Sequence, residues 1–303
     1  MKIISFVPSA TEMVCALGAM DDLVGISHDS DYPIEVLNKP KVSRSTISTE
    51  NLTSEQIDEL INEFLSEKKE LYEVDKLKIQ ELNPDVVILQ GLCDVCSIPS
   101  FLVEPKSLGI LNENVKIVNF HSHNIYEMLR DILTLGKAIN KENKALVLVE
   151  SLNKRIQNVK SISSNFNKKR VFCCEWLKPL YNSGHWMPEM VELAGGYDGL
   201  AKPNEYSCKI DFSKIEEFNP QVVILGVCGY SVQKTIDSIW EIETYDGWSK
   251  LNAVKNRRVY AVDGNCFSRP GPRLVDGLEI LAKIIHPEAF TYIYTEKEIK
   301  KVY

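Results

Sequence analysis

The chain repeats itself, and this limits its fold more than any other property. Glu12-Met13-Val14-Cys15-Ala16-Leu17-Gly18-Ala19-Met20-Asp21-Asp22-Leu23 is echoed by Glu189-Met190-Val191-Glu192-Leu193-Ala194-Gly195-Gly196-Tyr197-Asp198-Gly199-Leu200, with Glu, Met, Val, Gly, Asp and Leu recurring at a constant offset. A second pair, Leu82-Asn83-Pro84-Asp85-Val86-Val87-Ile88-Leu89 and Phe218-Asn219-Pro220-Gln221-Val222-Val223-Ile224-Leu225, follows in the same order at a shorter offset. Two ordered matches argue for duplicated halves.

Each copy reads as strand, turn and helix. Ile3 to Val7 and Arg170 to Cys174 are short apolar runs of the kind buried in a parallel sheet, and Gly18 and Gly195 stand where a helix end needs φ > 0. In the second pair, Asn-Pro stops a helix and the apolar run after it is the next buried strand. Further strands are expected at Leu23 to Ile26, Lys116 to Phe120 and Arg258 to Val262, and a helix from Leu274 to Ile285. Asn124 to Ile162, free of proline and with Gly136 as its one glycine, reads as one long helix or a broken pair. The expected fold class is therefore α/β: two similar lobes with central, mostly parallel sheets, joined by a long helix, with a ligand cleft between the lobes. The expected divisions are 1–122, a helical connector 123–162, 163–287, and a solvated charged tail 288–303.

At 303 residues with 44% hydrophobic and 25% charged residues, two buried cores are affordable. A net charge of −7 without a basic block disfavours nucleic acid and anionic membrane surfaces as partners. No apolar run approaches the roughly 18 residues that cross a bilayer, so an integral membrane protein is not expected. Met1-Lys2 leads straight into a strand rather than a signal-peptide pattern, so a cytoplasmic location is expected, with the eight cysteines as thiols.

Ser5-Phe6-Val7-Pro8-Ser9-Ala10-Thr11-Glu12, Ala16-Leu17-Gly18, Leu23-Val24-Gly25-Ile26-Ser27, the two Asn-Pro segments and the helical connector together resemble the cobalamin-binding and siderophore-binding receptors of ABC importers, over about residues 1 to 287. Ser27-His28-Asp29-Ser30-Asp31-Tyr32-Pro33, Leu92-Cys93-Asp94-Val95-Cys96, Glu175-Trp176, Gly184-His185-Trp186-Met187-Pro188-Glu189, Cys228-Gly229-Tyr230 and Ser268-Arg269-Pro270-Gly271-Pro272-Arg273 resemble a subgroup without signal peptides, labelled cobalamin-binding proteins. Position 30 is Ser where many relatives carry Cys, so no thiol role falls there. The resemblance implies a class III periplasmic-binding-protein fold and a vitamin-uptake function: a binding protein, rather than an enzyme, that holds cobalamin, a related corrinoid or another metal-containing ligand. It also implies ABC importer components as partners if the chain is exported.

In open α/β sheets ligands bind beyond the carboxyl ends of strands. Pro8, Ser9, Ala10 and Thr11 stand there in the first half, and His185 to Pro188 are their counterparts, each just before a helix whose N–H groups can receive a ligand. Cys93, Cys96 and Cys228 follow the strands of the second pair. With His185 they would make a tetrahedral metal set, and as thiols alone an iron–sulfur or redox centre, so a zinc or iron–sulfur protein is the alternative function. Against this, free cysteines are commonly small buried hydrophobes. Trp176, His185, Trp186 and Tyr230 suit a flat tetrapyrrole, or else lobe core. Trp248 is expected in the core at a helix start, and His28 as a turn-stabilising residue. Arg269 would grip a ligand carboxylate or phosphate; the rival is that Arg269 and Arg273 pair with Asp276 or Glu279. No dinucleotide fingerprint, phosphate loop or nucleophile elbow occurs.

Overall fold

The computed structural model describes residues 1–91, 108, 110 and 114–303. The chain forms two compact units. Met1–Glu50, Leu60–Ser122 and Tyr126–Ser151 make the first; Asn51–Glu59, His123–Ile125 and Leu152–Tyr303 make the second.

In chain order the first half contributes β1 (Ile3–Ser5), α1 (Pro8–Ala16), β2 (Leu23–Ile26), β3 (Ser43–Ser45), α2 (Ser54–Ser66), β4 (Tyr72–Val74), α3 (Lys76–Leu82), β5 (Val86–Gln90) and β6 (Lys116–Phe120). Then come α4 (Ile125–Ala138) and α5 (Glu142–Ser163). The expected connector is thus a broken pair, with Asn140 at φ 58° in the break. Gly136 lets the two helices close up, because a Cβ there would lie 2.4 Å from that of Ala145. Residues of both α2 and α5 are shared between the two units.

The first unit is built on a parallel sheet of order β2-β1-β5-β6, with β3 and β4 forming a separate antiparallel pair. Ile4, Phe6, Val87 and Leu89 pack with Ile79 of α3 in its core. Each such fully buried side chain contributes about 1.5–3 kcal/mol before the entropy of ordering the chain is set against it.

The second half continues with β7 (Lys169–Trp176), β8 (Tyr181–Asn182), α6 (Met187–Leu193), β9 (Gly196–Tyr197), α7 (Phe212–Phe218), β10 (Val222–Leu225), α8 (Val232–Asp237), α9 (Ile239–Glu243), α10 (Asn252–Lys255), β11 (Val259–Val262), α11 (Asn265–Ser268), α12 (Leu274–Ile285) and β12 (Ile299–Lys301). Its sheet runs β12-β11-β10-β7-β8, parallel from β11 to β7, with antiparallel β12 and β8 at the edges and β9 paired to the start of β7.

The duplication extends to single hydrogen bonds. Lys2 N–H donates to Asp85 Oδ2 and Asp85 N–H to Lys2 O, and Arg170 and Gln221 repeat the exchange. Asn83 and Asn219 end α3 and α7 in the left-handed region, at φ 46° and 44°, each donating its N–H to an isoleucine carbonyl four residues back. Gly18 and Gly195, at φ 65° and 80°, close α1 and α6 with the same N–H bond to the carbonyl three residues back. The first strands repeat at an offset of 168, Lys2 to Arg170, but the helices at 177, Glu12 to Glu189, so nine extra residues separate β7 from α6. β8 lies in that insertion.

Two expectations change. The end of the charged tail is a strand, because β12 pairs with the open edge of β11, where its lysines suit an edge position. Trp248 opens only a three-residue 3-10 turn after Gly247, at φ 95°, although it is core as expected.

Candidate functional site

In the first unit the carboxyl edge is a network of hydroxyls. Pro8 opens α1 with no side-chain cap before it, as its missing N–H allows, leaving the first-turn N–H groups without a side-chain partner. Ser9 Oγ donates to Gln90 Oε1 at the end of β5, at 3.2 Å. Thr11 Oγ1 lies 2.9 Å from Ser5 Oγ and 2.8 Å from Ser30 Oγ, which in turn meets Ser27 Oγ at 2.8 Å. Lys41 Nζ donates to the carbonyls of Ser27 and Ser30, and burial lowers its pKa. Ser30 therefore serves as a hydrogen-bond node. Ala10 and Thr11 are fully buried, so they support this edge from within; Pro8 is half-buried. His28 stabilises its turn: Nδ1 lies 3.0 Å from Ser43 Oγ, the ring packs on Tyr72, and burial lowers its pKa. Cys93 and Cys96 lie outside the described residues.

In the second unit a small hollow opens beyond the carboxyl ends of β7 and β10. β7 gives it Cys173 and Glu175, and β10 gives Ile224 with Gly226 beyond it. Ser183 and Met187 border it at the start of α6, and Phe267 and Ser268 close it from α11. Cys173 and Cys174 are buried, and desolvation pushes both thiols far above their usual range, so neither is a nucleophile. Cys228 is half-buried and continues the ladder beyond β10 through its N–H to Glu175 O.

His185 is held by its backbone. Gly184 passes so close to 205–207 that a Cβ would lie 2.5 Å from main-chain atoms there, and His185, at φ 53°, exchanges bonds with Glu205 O and Asn204 N. Its ring stacks on Trp186 at 5.3 Å and meets the edge of Tyr206 at 5.2 Å, with the His123 ring 6.4 Å away. Nδ1 is buried without a hydrogen-bond partner, and burial, aided by His123, holds the pKa down at about 4. The ring is thus neutral at pH 7 and keeps a lone pair for a proton donor or for a metal that a ligand carries.

Trp186 and Tyr230 are 3% and 2% exposed, so their rings are spent on packing rather than offered as open walls. The Trp186 indole donates to Phe267 O at 2.6 Å. Tyr230 packs edge-on to Trp176 under Lys234 Nζ, and burial, then Glu241, pushes its pKa up to about 12. Trp176 is half-buried and donates to Ser54 O. Arg269 is half-buried just after α11. Asp276 and Glu279 pair with Arg155, while Arg273 lies 3.7 Å from Asp263 and 3.9 Å from Cys266 Sγ.

Among the described residues no three His, Cys, Asp or Glu side chains converge to hold a metal ion, and no helix is long and apolar enough to cross a membrane. The structure thus adds Glu175, Tyr206, Ser207 and His123 to the residues at or beside this edge. None of them lies in a repeat pair, so only the Glu175-Trp176 segment could have signalled the position.

A family model for periplasmic binding proteins matches residues 3–265. An uncharacterised ABC transporter substrate-binding lipoprotein, YvrC of Bacillus subtilis, is 29% identical over 297 residues, covering 95% of this chain and 81% of that protein. The vitamin B12-binding protein of Vibrio cholerae is 24% identical, covering 92% and 86%. A periplasmic heme-binding protein from Pseudomonas aeruginosa superposes with a TM-score of 0.71 at 17% identity, covering 95% and 94%.

Proposed function

This chain belongs to the periplasmic binding protein family, the substrate-binding proteins of ABC importers, and from that premise we propose that its ligand is cobalamin or a related corrinoid. The observation that carries the reading is the ring cluster of His185, Trp186, Tyr206 and His123 at the start of α6. It supplies a neutral imidazole for a ligand-borne metal beside an aromatic surface, Tyr206 being 60% exposed. The kinship with a vitamin B12-binding protein supports the same class.

Titration with hydroxocobalamin tests it. Binding is expected to shift the visible bands and to raise Tm, with stabilisation of about 2.7 kcal/mol when free ligand reaches 100 times Kd. His185→Ala should lose the spectral shift. No change in Tm at millimolar cobalamin would sink the reading. The zinc or iron–sulfur alternative rests on Cys93 and Cys96, which lie outside the described residues, with Cys228, and is tested by metal analysis of anaerobically purified protein. A cytoplasmic location is a separate proposal, for which cell fractionation is the test.

A further inference from the structure

Between α12 and β12 runs a segment built for a sheet that belongs to none. Phe290-Thr291-Tyr292-Ile293-Tyr294-Thr295 consists wholly of aromatic and β-branched residues, and from Ala289 to Thr295 there is no charge, proline or glycine. The run passes from 290 to 295 without helix, turn or strand pairing. Its burial alternates with period two: Thr291, Ile293 and Thr295 are exposed, while Tyr292 and Tyr294 are half-buried. A ladder of rings fixes the inner face. Phe290 stacks on Tyr292 at 5.7 Å, Tyr292 meets Tyr294 at 6.2 Å, Asn158 Nδ2 donates to Tyr292 Oη, and Tyr294 Oη is buried. The chain is thus already extended, and Ile293, 96% exposed, is the most exposed large apolar side chain among the described residues.

Its backbone is open between two closed ends. Phe290 O accepts from Lys283 Nζ, and Thr295 spends its N–H on Glu298 Oε2 and its carbonyl on the N–H groups of Glu298 and Ile299. Between them, the N–H and C=O groups of 291–294 have no partner among the described residues. Unpartnered main-chain groups are rarely buried, so these face water. They form the kind of edge that other strands join, and no lysine or proline guards it.

The residue order selects the strand that joins. Thr291-Tyr292-Ile293-Tyr294-Thr295 reads the same in both directions about Ile293, and two copies of a palindrome run antiparallel place like beside like across a two-fold axis. We infer that this segment is a self-recognition edge: a second copy of the chain adds its own 291–295 antiparallel, with Ile293 opposite its counterpart. Two hydrogen-bond patterns share that centre, and their yield separates them. If Ile293 exchanged bonds with its counterpart, the next pair would need Thr295, whose N–H and carbonyl are already taken. If Tyr292 exchanges bonds with Tyr294 of the other copy, every group required is free, and four bonds form instead of two. This pattern also sets Ile293 and its counterpart in the closer, non-hydrogen-bonded pair, with Thr291 beside Thr295 at either end. Such a short strand pair falls well below the roughly 20–30 residues a side of a stable interface, so the dimer forms and parts readily.

Cross-linking reads both the partner and the register. The background is Cys208→Ser, which removes an exposed thiol, and the oxidant is copper–phenanthroline. The Cα atoms of a non-hydrogen-bonded pair lie about 4.5 Å apart, within the roughly 4.4–6.8 Å that a disulfide spans. Ile293→Cys should therefore cross-link at least about tenfold faster than Thr291→Cys. An equal mixture of Thr291→Cys and Thr295→Cys should cross-link as the mixed pair, while neither does so alone. Sedimentation of the unoxidised wild type should show association at concentrations up to about 1 mM, which Ile293→Lys abolishes by setting like charges face to face. Each altered side chain is exposed, so the variants read pairing rather than folding. Equal cross-linking at 291 and 293, a wild type monomeric throughout, or association untouched by Ile293→Lys overturns the inference.

Discussion

Two half-buried titratable groups in the second unit pull stability in opposite directions as pH changes. His185 has its pKa held down at about 4 by burial and by His123, against 6.5 in an unfolded chain. The unfolded state thus binds more protons between those values, and the contribution of His185 is full above about pH 6.5 and lost as pH falls through 4. Asp198 is the reverse. Burial raises its pKa to about 7 even though Leu200 N–H donates to Oδ1, and Oδ2 is buried without a partner. Its contribution is full below about pH 4 and lost as pH rises through 7. Melting curves from pH 4 to 8 should therefore fall less on the acid side for His185→Gln, and less on the alkaline side for Asp198→Asn, than for the wild type. Curves parallel to the wild type would show that neither shift exists.

The helix ends carry their own tests. α1 stops in a motif where Ala19 N–H reaches Val14 O and Gly18 N–H reaches Cys15 O, and α6 stops with the equivalent glycine bond. Gly195→Ala should cost more than the ~1–2 kcal/mol of a left-handed alanine, because its Cβ would also sit 2.8 Å from His286 Nε2; urea unfolding measures it. α2 starts differently. Besides the reciprocal cap of Thr53 and Gln56, each N–H donating to the other's side chain, Glu241, 2% exposed, accepts from both the N–H and the hydroxyl of Ser54. Glu241→Ala leaves those donors buried and should destabilise by about 1–3 kcal/mol, with faster hydrogen exchange at the start of α2. The glycine and Asn-Pro stops were legible in the sequence because they act through local φ preferences. The Glu241 cap was not, since its partners lie 187 residues apart.

On the scale of the whole chain, the parallel sheets and their duplicate origin could be read from two paired segments, because buried strands leave short apolar runs and their turns leave Asn-Pro and glycine. The fate of the tail could not. A strand that joins an edge needs few apolar residues, and β12 is held as much by side chains as by pairing: Trp248 Nε1 donates to Tyr303 Oη, which donates to Glu243. Deleting residues 296–303 should bare the β11 edge and lower Tm by several degrees, with self-association visible in size-exclusion chromatography. Unchanged Tm and elution would mean that the edge needs no cover. The site was partly legible. The repeat led to His185, but whether a ring such as Trp186 faces outward or into the core depends on neighbours that spacing does not reveal.

The nine residues inserted between β7 and α6 have a consequence for ancestry. In the first half the strand passes almost directly into α1, so any change there disturbs both elements at once. In the second half the insertion separates Cys173 and Glu175 from Met187, and it holds Gly184 and His185 on its far side. β8, inside it, is the edge strand paired with β7, whereas the β7–β10 pairing and the helix stop at Gly195 lie outside it. The junction thus gives the second half a stretch, with its edge strand β8, that the first half does not have.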